Sequence, residues 1–358
     1  MPQEITSPAF FIGKGTTGGN LISFGSGQPD LPPPPAAYTV LQSYRGFKYG
    51  QVQGEEVLRQ AIAKEYPNAN AGQIVITNGA SEAIDLVLRA ISVPEGRVAL
   101  PRPYYYSYPH NVELAGMTPV YYDLVDGKID FELFEKTVQG CRAVMINSPS
   151  NPTGTVQEVE TLKKIEKLCD ALGIYVLSDE VYKDLIYVRE NYLLSGKHVV
   201  TINSFSKTYA MCGMRLGYFH TLDRALVEQV VEMKSHTSMN TSTASQAMGL
   251  AAMAERDTYV AAHVPIWQKR RDIMYKGLCD LGLKLWKPEG AFYVLPKFKE
   301  PTRVMHDLYY NYDLITYDGT WFGAPKRLRL SYALDIPKIE EGLQRLGKFL
   351  KNEYQTYT

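Results

Sequence analysis

The sequence predicts an α/β protein, a mainly parallel central sheet with helices on both faces, joined to a smaller α/β domain. Three observations carry this. Short continuous apolar runs alternate with helical patterns from about residue 55 onward, as expected of strands buried on both faces of a helix-covered parallel sheet. Each run is bounded by Pro, Gly, Ser or Asp, residues that end elements and turn the chain. The 358 residues exceed what one ordinary core holds, so a large and a small domain are expected.

Residues 1–36 read as an N-terminal arm belonging to the small domain. Its proline run, 32–35, follows Gly25-Ser26-Gly27-Gln28-Pro29-Asp30 and is expected to be extended rather than helical. Residues 37–265 are expected to form the large domain. There Ile74–Thr77 is β-rich, Asn78-Gly79 turns the chain, and Ala83, Ile84, Val87, Leu88 and Ile91 recur at helical spacing. The runs 98–100, 143–147, 175–177 and 199–203 are further strands, with a helix expected over 158–172. Residues 266–358 read as the small domain, with strands over 289–295 and 327–332 and a closing amphipathic helix over 336–354. Open sheets of this build bind ligands beyond the carboxyl ends of their strands, where several polar residues of interest fall.

Lys+Arg and Asp+Glu are equal at 38 each. No basic excess points to nucleic acid or to an anionic membrane, so a bound anion has to be met by local groups. No run reaches the 18 or so apolar residues of a membrane helix, and MPQEITSPAFFIGKG lacks the layout of a secretion signal. Cys141, Cys169, Cys212 and Cys279 form no paired spacing, which predicts a cytoplasmic protein with free thiols. The six histidines are isolated, so no metal is expected. His110 and Glu113 read as a surface pair.

Two motifs are decoys. Gly13-Lys14-Gly15-Thr16-Thr17-Gly18 matches a dinucleotide-binding pattern, but Gly19-Asn20 and a strand-like 21–24 follow where a helix is required. Ser204-Phe205-Ser206-Lys207 matches a serine-nucleophile signature, yet the K-T-G strand that completes it is absent from the sequence.

The remaining candidates share one chemistry. Pyridoxal phosphate (PLP) needs a lysine for a Schiff base, a carboxylate to keep its ring nitrogen protonated, and donors for its phosphate. Lys207 follows the 199–203 run, flanked by the hydroxyls of Ser204 and Ser206, with Arg215 eight residues on as a fork for phosphate oxygens. Ser204, Ser206, Lys207, Gly213, Arg215 and Gly217 fit the pattern S-x-S-K-x-x-x-x-x-G-x-R-x-G. At these residues the chain resembles the fold-type-I PLP enzymes, specifically the class I/II aminotransferases.

The resemblance runs from about Gly27 to Ala333. It implies that Lys207 carries PLP, that Asp179 pairs with the pyridine nitrogen, and that Tyr182 and Asn151 meet the ring oxygen. It also implies that Ala80 and Ser81 sit at the phosphate, where a helix N-terminus favours an anion, and that Tyr105 stacks on the ring. Arg329 is the expected clamp for the substrate carboxylate, with Arg327 as rival and Gly27 nearby. Tyr49 is expected to reach the phosphate of a partner subunit, which implies a homodimer. Local roles compete with several of these: Asp179 as a helix cap, 147–154 as a plain turn, Ser81 as an N-cap, and Tyr104 and Tyr106 as packing.

The chain departs from the family at Cys212, Met214 and Tyr105, in a short arm before Gly27, and in a compact 290–329 stretch. These bear on the substrate pocket and on how the arm meets a partner. The expected reaction is ping-pong transfer of the amino group of an L-amino acid to a 2-oxo acid, with Lys207 as general base and acid. A C–S lyase or other eliminating enzyme of the same fold is the alternative. A PLP-binding regulator is disfavoured, because Gly27-Gln28-Pro29-Asp30 begins too early to leave room for a DNA-binding domain.

Overall fold

The computed structural model describes residues 5–12, 14, 20–188 and 191–354. The glycine pattern at 13–18 lies outside these, apart from Lys14.

Thirteen strands, β1 to β13, are found among the described residues. In chain order they are Ile22–Ser23, Ile74–Thr77, Arg97–Arg102, Thr118–Val125, Lys128–Ile129, Ala143–Asn147, Tyr175–Asp179, Val199–Ser204, Gly217–Thr221, Tyr293–Val294, Leu314–Ile315, Tyr317–Asp318 and Leu328–Ser331. Eight of them build the main sheet in the order β2-β9-β8-β7-β6-β3-β4-β5. Every residue of β2, β6, β8 and β9 is buried, because helices cover both faces, and this is why these segments read as unbroken apolar runs.

Pairing is parallel from β8 through β7, β6 and β3 to β4. The sheet is nonetheless mixed, since β9 runs antiparallel to both β2 and β8. Periodicity missed β9, whose sequence reads as part of the Lys207 motif, and it missed β4, which Pro119 and Asp123 interrupt. The close β9–β2 contact requires glycine: a Cβ on Gly217 would lie 2.5 Å from the Gly79 carbonyl carbon and 2.6 Å from the Ala80 nitrogen. A side chain there would push β9 away from the turn after β2.

Two smaller sheets use the chain ends. β1 pairs in parallel with β11, and β10-β13-β12 form an antiparallel ribbon. The expected strands 289–295 and 327–332 shorten to β10 and β13, and the chain departs from extended geometry at Ala291 (φ 54°). The closing helix is Ile336–Asn352, capped by Asp335, which accepts from the Lys338 N–H. The proline run does not stay extended to its end. Pro34 is the N-cap and Pro35 the first residue of the helix Pro35–Ser43, a position where proline's fixed φ suits a helix start. One helix, Arg256–Asp280, runs through the expected domain boundary at 265/266 with Pro265 inside it.

The core divides accordingly. One apolar cluster lies beneath one face of the main sheet and two beneath the other, and a fourth joins the arm (Phe11, Ile22, Phe24) to the closing helix (Ile339, Leu346, Phe349). Val181, Tyr182 and Leu185 belong to this last cluster, which packs the residues just after β7 against the small sheets.

Candidate active site

The strands β2, β6, β7 and β8 all end at one edge of the sheet, and the turns after them enclose a cavity of about 600 Å³. Its walls include Gly27, Ala80, Ser81, Tyr105, Asn151, Asp179, Tyr182, Ser204, Ser206, Lys207, Arg215 and Arg329. Residues separated by some 300 positions in sequence thus converge on one space.

At one end the cavity is built for an anion. Gly79, at φ 79°, is the N-cap of the helix Ala80–Ile91, and no side chain occupies that cap. The first N–H groups of a helix lack intrahelical partners and carry the positive end of its dipole. A Cβ on Gly79 would lie 2.5 Å from Arg215 Nη2, so glycine is what lets the guanidinium come alongside the turn. Arg215 is itself in the left-handed region (φ 50°) and donates from Nη1 to the Cys212 carbonyl at 3.0 Å. Ser204 Oγ and Ser206 Oγ are 2.8 Å apart, and Ser204 also caps its own turn by accepting from the Ser206 N–H.

The floor holds a buried acid. Asp179, the last residue of β7, accepts from the Tyr108 hydroxyl at 2.5 Å and from the Val181 N–H at 3.3 Å. Burial raises its pKa from the usual carboxylate range to about 6, opposed by Tyr108, the Val181 N–H and the charge of Lys207. Asn147 ties the neighbouring strand in, its side-chain amide donating to the Asp179 carbonyl at 3.0 Å and its oxygen accepting from the Asn151 N–H at 2.7 Å. The 147–151 turn is thus held to β7 by Asn147. Asp179 is not a helix cap.

Lys207 sits on the four-residue turn Phe205–Thr208, and its Nζ donates to the Gly27 carbonyl at 2.8 Å. Tyr182 and Tyr293 share a hydroxyl–hydroxyl bond of 2.8 Å. Arg329, buried on β13, donates to Asn151 Oδ1 at 3.1 Å and to the Gly25 carbonyl, with its guanidinium over the rings of Tyr293, Tyr317 and Phe322 at 4.5, 4.7 and 4.7 Å. Its Nε is buried and unpartnered, a donor left free at the cavity. The rival Arg327 donates to the Leu295 carbonyl and lies over the Trp286 ring at 4.0 Å, away from the cavity walls.

Tyr49 does not line this cavity in its own chain, and it is 83% exposed. Tyr104 packs on Tyr121 outside the cavity, as a packing role implied, whereas Tyr106 is in the wall. Sequence reading also missed Phe11, Ile12 and Lys14 of the arm, together with Tyr293 and Tyr317. No local motif marks these five. Cross-strand register marks two of them: Tyr317 opposes Arg329 and Tyr293 opposes Ser331. Among the described residues no cluster of potential metal ligands occurs and no helix is long and apolar enough to cross a membrane. His110 and Glu113 are an exposed pair at 3.6 Å.

A second acid adjoins the floor. Burial raises the Glu180 pKa to about 8, partly offset by Lys183 and Ser178. In both Asp179 and Glu180 the folded protein holds a proton that the unfolded chain has released, so stability falls as pH rises through the two values. The cofactor-free protein should therefore lose melting temperature between about pH 4 and pH 8, and Glu180→Gln should flatten the upper half of that decline. Thermal scans across the range check this, and an unchanged slope in the variant counts against it.

An anion end, a buried acid, an amine and a buried arginine in one cavity fit a phosphorylated heteroaromatic aldehyde on a fold-type-I scaffold. The comparisons agree. The family model for class I and II aminotransferases matches residues 19–346. A probable aspartate/prephenate aminotransferase of Aquifex aeolicus is 32% identical, covering 93% of this chain and 92% of its own. The aspartate aminotransferase of Bacillus sp. strain YM-2 is 30% identical at the same coverages. The crystal structure of aspartate aminotransferase from Thermotoga maritima superposes with a TM-score of 0.89 at 30% identity, covering 96% of this chain and 95% of that one. The site and fold define a PLP-dependent transferase, and the chain belongs to the class I and II aminotransferases. It is an enzyme that transfers amino groups, and the relatives support this activity rather than elimination.

Proposed function

We propose that this cavity transfers the amino group of an L-amino acid to a 2-oxo acid by a ping-pong route, with Lys207 bearing PLP. The observation that carries the reading is the convergence of Lys207, Asp179 and Arg329 on one cavity from β8, β7 and β13. PLP supplies an electron sink for the bonds at the substrate Cα. Asp179 holds the proton of the ring nitrogen by offering it a carboxylate where water is excluded. Asn151 and Tyr182 would meet the ring oxygen, Tyr105 would stack on the ring, and Ala80, Ser81, Ser204, Ser206 and Arg215 would hold the phosphate. Arg329 turns from Asn151 and Gly25 to the substrate carboxylate, with Gly27 beside it. Lys207 Nζ, once free of the cofactor, would take the proton from the substrate Cα and give it up again as general acid.

Two further parts of the reading concern assembly. Tyr49 and Phe47 stand exposed outside the cavity of their own chain, which supports a homodimer in which Tyr49 reaches the partner's phosphate site. Residues 1–36 and 266–358 form the small domain and 37–265 the large one, with the division inside the helix Arg256–Asp280. Free, unpaired Cys141, Cys169, Cys212 and Cys279 support a cytoplasmic location.

Purified enzyme should take up PLP, convert 2-oxoglutarate to glutamate with an amino donor, and show the reduced cofactor on Lys207 after borohydride. Release of ammonia without amino transfer is the outcome that sinks the reading. Arg329→Ala should raise KM for carboxylate substrates about 10–100-fold, the equivalent of roughly 1.5–3 kcal/mol for a hydrogen bond to a charged group. Steady-state kinetics with amino acids against the corresponding amines check it, since amines should be indifferent to the change.

A further inference from the structure

Each residue placed at the cofactor on β7 and β8 has a neighbour that turns the other way. Asp179, Tyr182 and Lys207 line the cavity, whereas Glu180, Lys183 and Thr208 do not. Lys183 and Thr208 instead border a second, much smaller space behind the site, shared with Glu65, Asp184 and Ser204.

That rear space holds a network of charges. Thr208 Oγ1 donates to Asp184 Oδ2 at 2.9 Å, and Arg256 donates to the other Asp184 oxygen. Arg256 Nε lies 3.6 Å from Glu65 Oε1, and Lys183 donates to Glu65 Oε2. Lys183 and Asp184 are buried, with side-chain exposures of 6% and 7%. Lys183 and Arg256 thus share Glu65, and Arg256 also holds Asp184 and, at the surface, Asp257; the groups are drawn from the segment after the helix Glu56–Ala63, the turn after β7 and the start of the helix Arg256–Asp280. Removing one partner of the buried pair Lys183 and Glu65, or Asp184's partner Arg256, leaves a charge with less compensation.

The turn that carries Lys207 needs such a support. Four residues make a single helical turn, which is unstable by itself. Ser204 caps its start, the Tyr209 and Met211 N–H groups close its end onto the Lys207 and Phe205 carbonyls, and Thr208 alone ties it sideways to Asp184. We propose that Asp184 and Thr208 are positioning residues for amino transfer. Their hydrogen bond locks the Lys207 turn to the segment bearing Tyr182, with Arg256 holding Asp184 in place. Neither residue touches substrate or cofactor. The reach of Lys207 Nζ to the substrate Cα then depends on a bond on the opposite side of the backbone.

The proposal rests on Lys207 as the cofactor-bearing residue. The test uses PLP-loaded enzyme with Thr208→Val, which keeps the shape and removes the hydroxyl, and Thr208→Ser, which restores it. A misplacement of reacting groups by a fraction of an ångström lowers rate more than binding. Thr208→Val should lower kcat about tenfold with KM within about twofold, and should move the pH midpoint of the cofactor's absorbance. Thr208→Ser should bring both back. If Thr208→Val does not fold, Asp184→Asn reports the same two readings. A variant with a lowered melting temperature but unchanged kcat and absorbance titration overturns the proposal, because the bond then serves stability alone. Borohydride separates the two levels. Absence of label on Lys207 defeats the reading of the site, whereas a labelled Lys207 with unaltered Thr208→Val kinetics defeats only this inference.

Discussion

Lys207→Ala is expected to abolish covalent attachment of PLP and to cost on the order of 10⁴-fold in turnover, the upper end for loss of a general base. The reason is geometric. In the described cavity Lys207 is the amine on the floor, its Nζ held 2.8 Å from the Gly27 carbonyl. The other cations in the wall are committed or remote: Arg215 lies at the anion end, Arg329 is on β13, and Lys14 reaches toward Tyr309 at 3.5 Å. Removing the Lys207 side chain therefore leaves no base at the substrate Cα. Mass spectrometry after borohydride treatment and single-turnover kinetics read the two consequences separately. Residual binding of free PLP is expected in the variant, because Asp179, Arg215 and the N-terminus of the helix Ala80–Ile91 remain. Turnover within tenfold of the parent is incompatible with the assignment.

The second large effect is expected at Asp179. Replacing it by alanine should lower kcat on the order of 10³-fold, the scale for removing a preorganised charge from a water-excluded site. Asp179→Glu should retain more activity than Asp179→Ala, since it keeps the carboxylate and loses only its placement. Asp179 is fully enclosed, and burial already raises its pKa to about 6 without a cationic ring beside it. A protonated ring nitrogen supplies the opposite charge that burial otherwise denies the carboxylate, so cofactor binding and ionisation of Asp179 are linked. PLP should accordingly bind more tightly above that value than below it. Equilibrium titration of the cofactor-free enzyme between about pH 5 and pH 8 measures this, and an affinity independent of pH, in an enzyme also insensitive to Asp179→Ala, contradicts it.

Much of the site was legible because its chemistry lies in short segments. The motif from Ser204 to Gly217 carries the amine, two hydroxyls and the arginine within fourteen positions, since a strand end, a tight turn and a returning strand must be contiguous. Asp179 and the 147–154 turn follow buried strands whose apolar runs announce where the sheet edge lies. What stayed hidden depends on contacts between distant segments. Tyr317 and Tyr293 enter the site through the register of the β10-β13-β12 ribbon, and a strand of two residues leaves no periodic trace. The arm residues Phe11, Ile12 and Lys14 line the cavity from a segment whose one recognisable pattern pointed to a different ligand. The antiparallel β9, with its five buried residues, was hidden because it begins inside the Lys207 motif and reads as that motif's tail.

By itself the sequence determined the layered α/β architecture and the cofactor chemistry, and it named the residues proposed to carry that chemistry. Apolar period, turn residues and a contiguous motif are properties of neighbours along the chain. The tertiary structure separates Arg329, which the resemblance already favoured, from its rival Arg327. Both are arginines on one short stretch, but β13 pairing buries one beneath three aromatic rings facing the cavity and leaves the other on Trp286. It also decided that the rear faces of the same segments hold a charge network behind Lys207. The side to which a residue points follows from the packing of segments far apart in the chain, and a sequence does not record that.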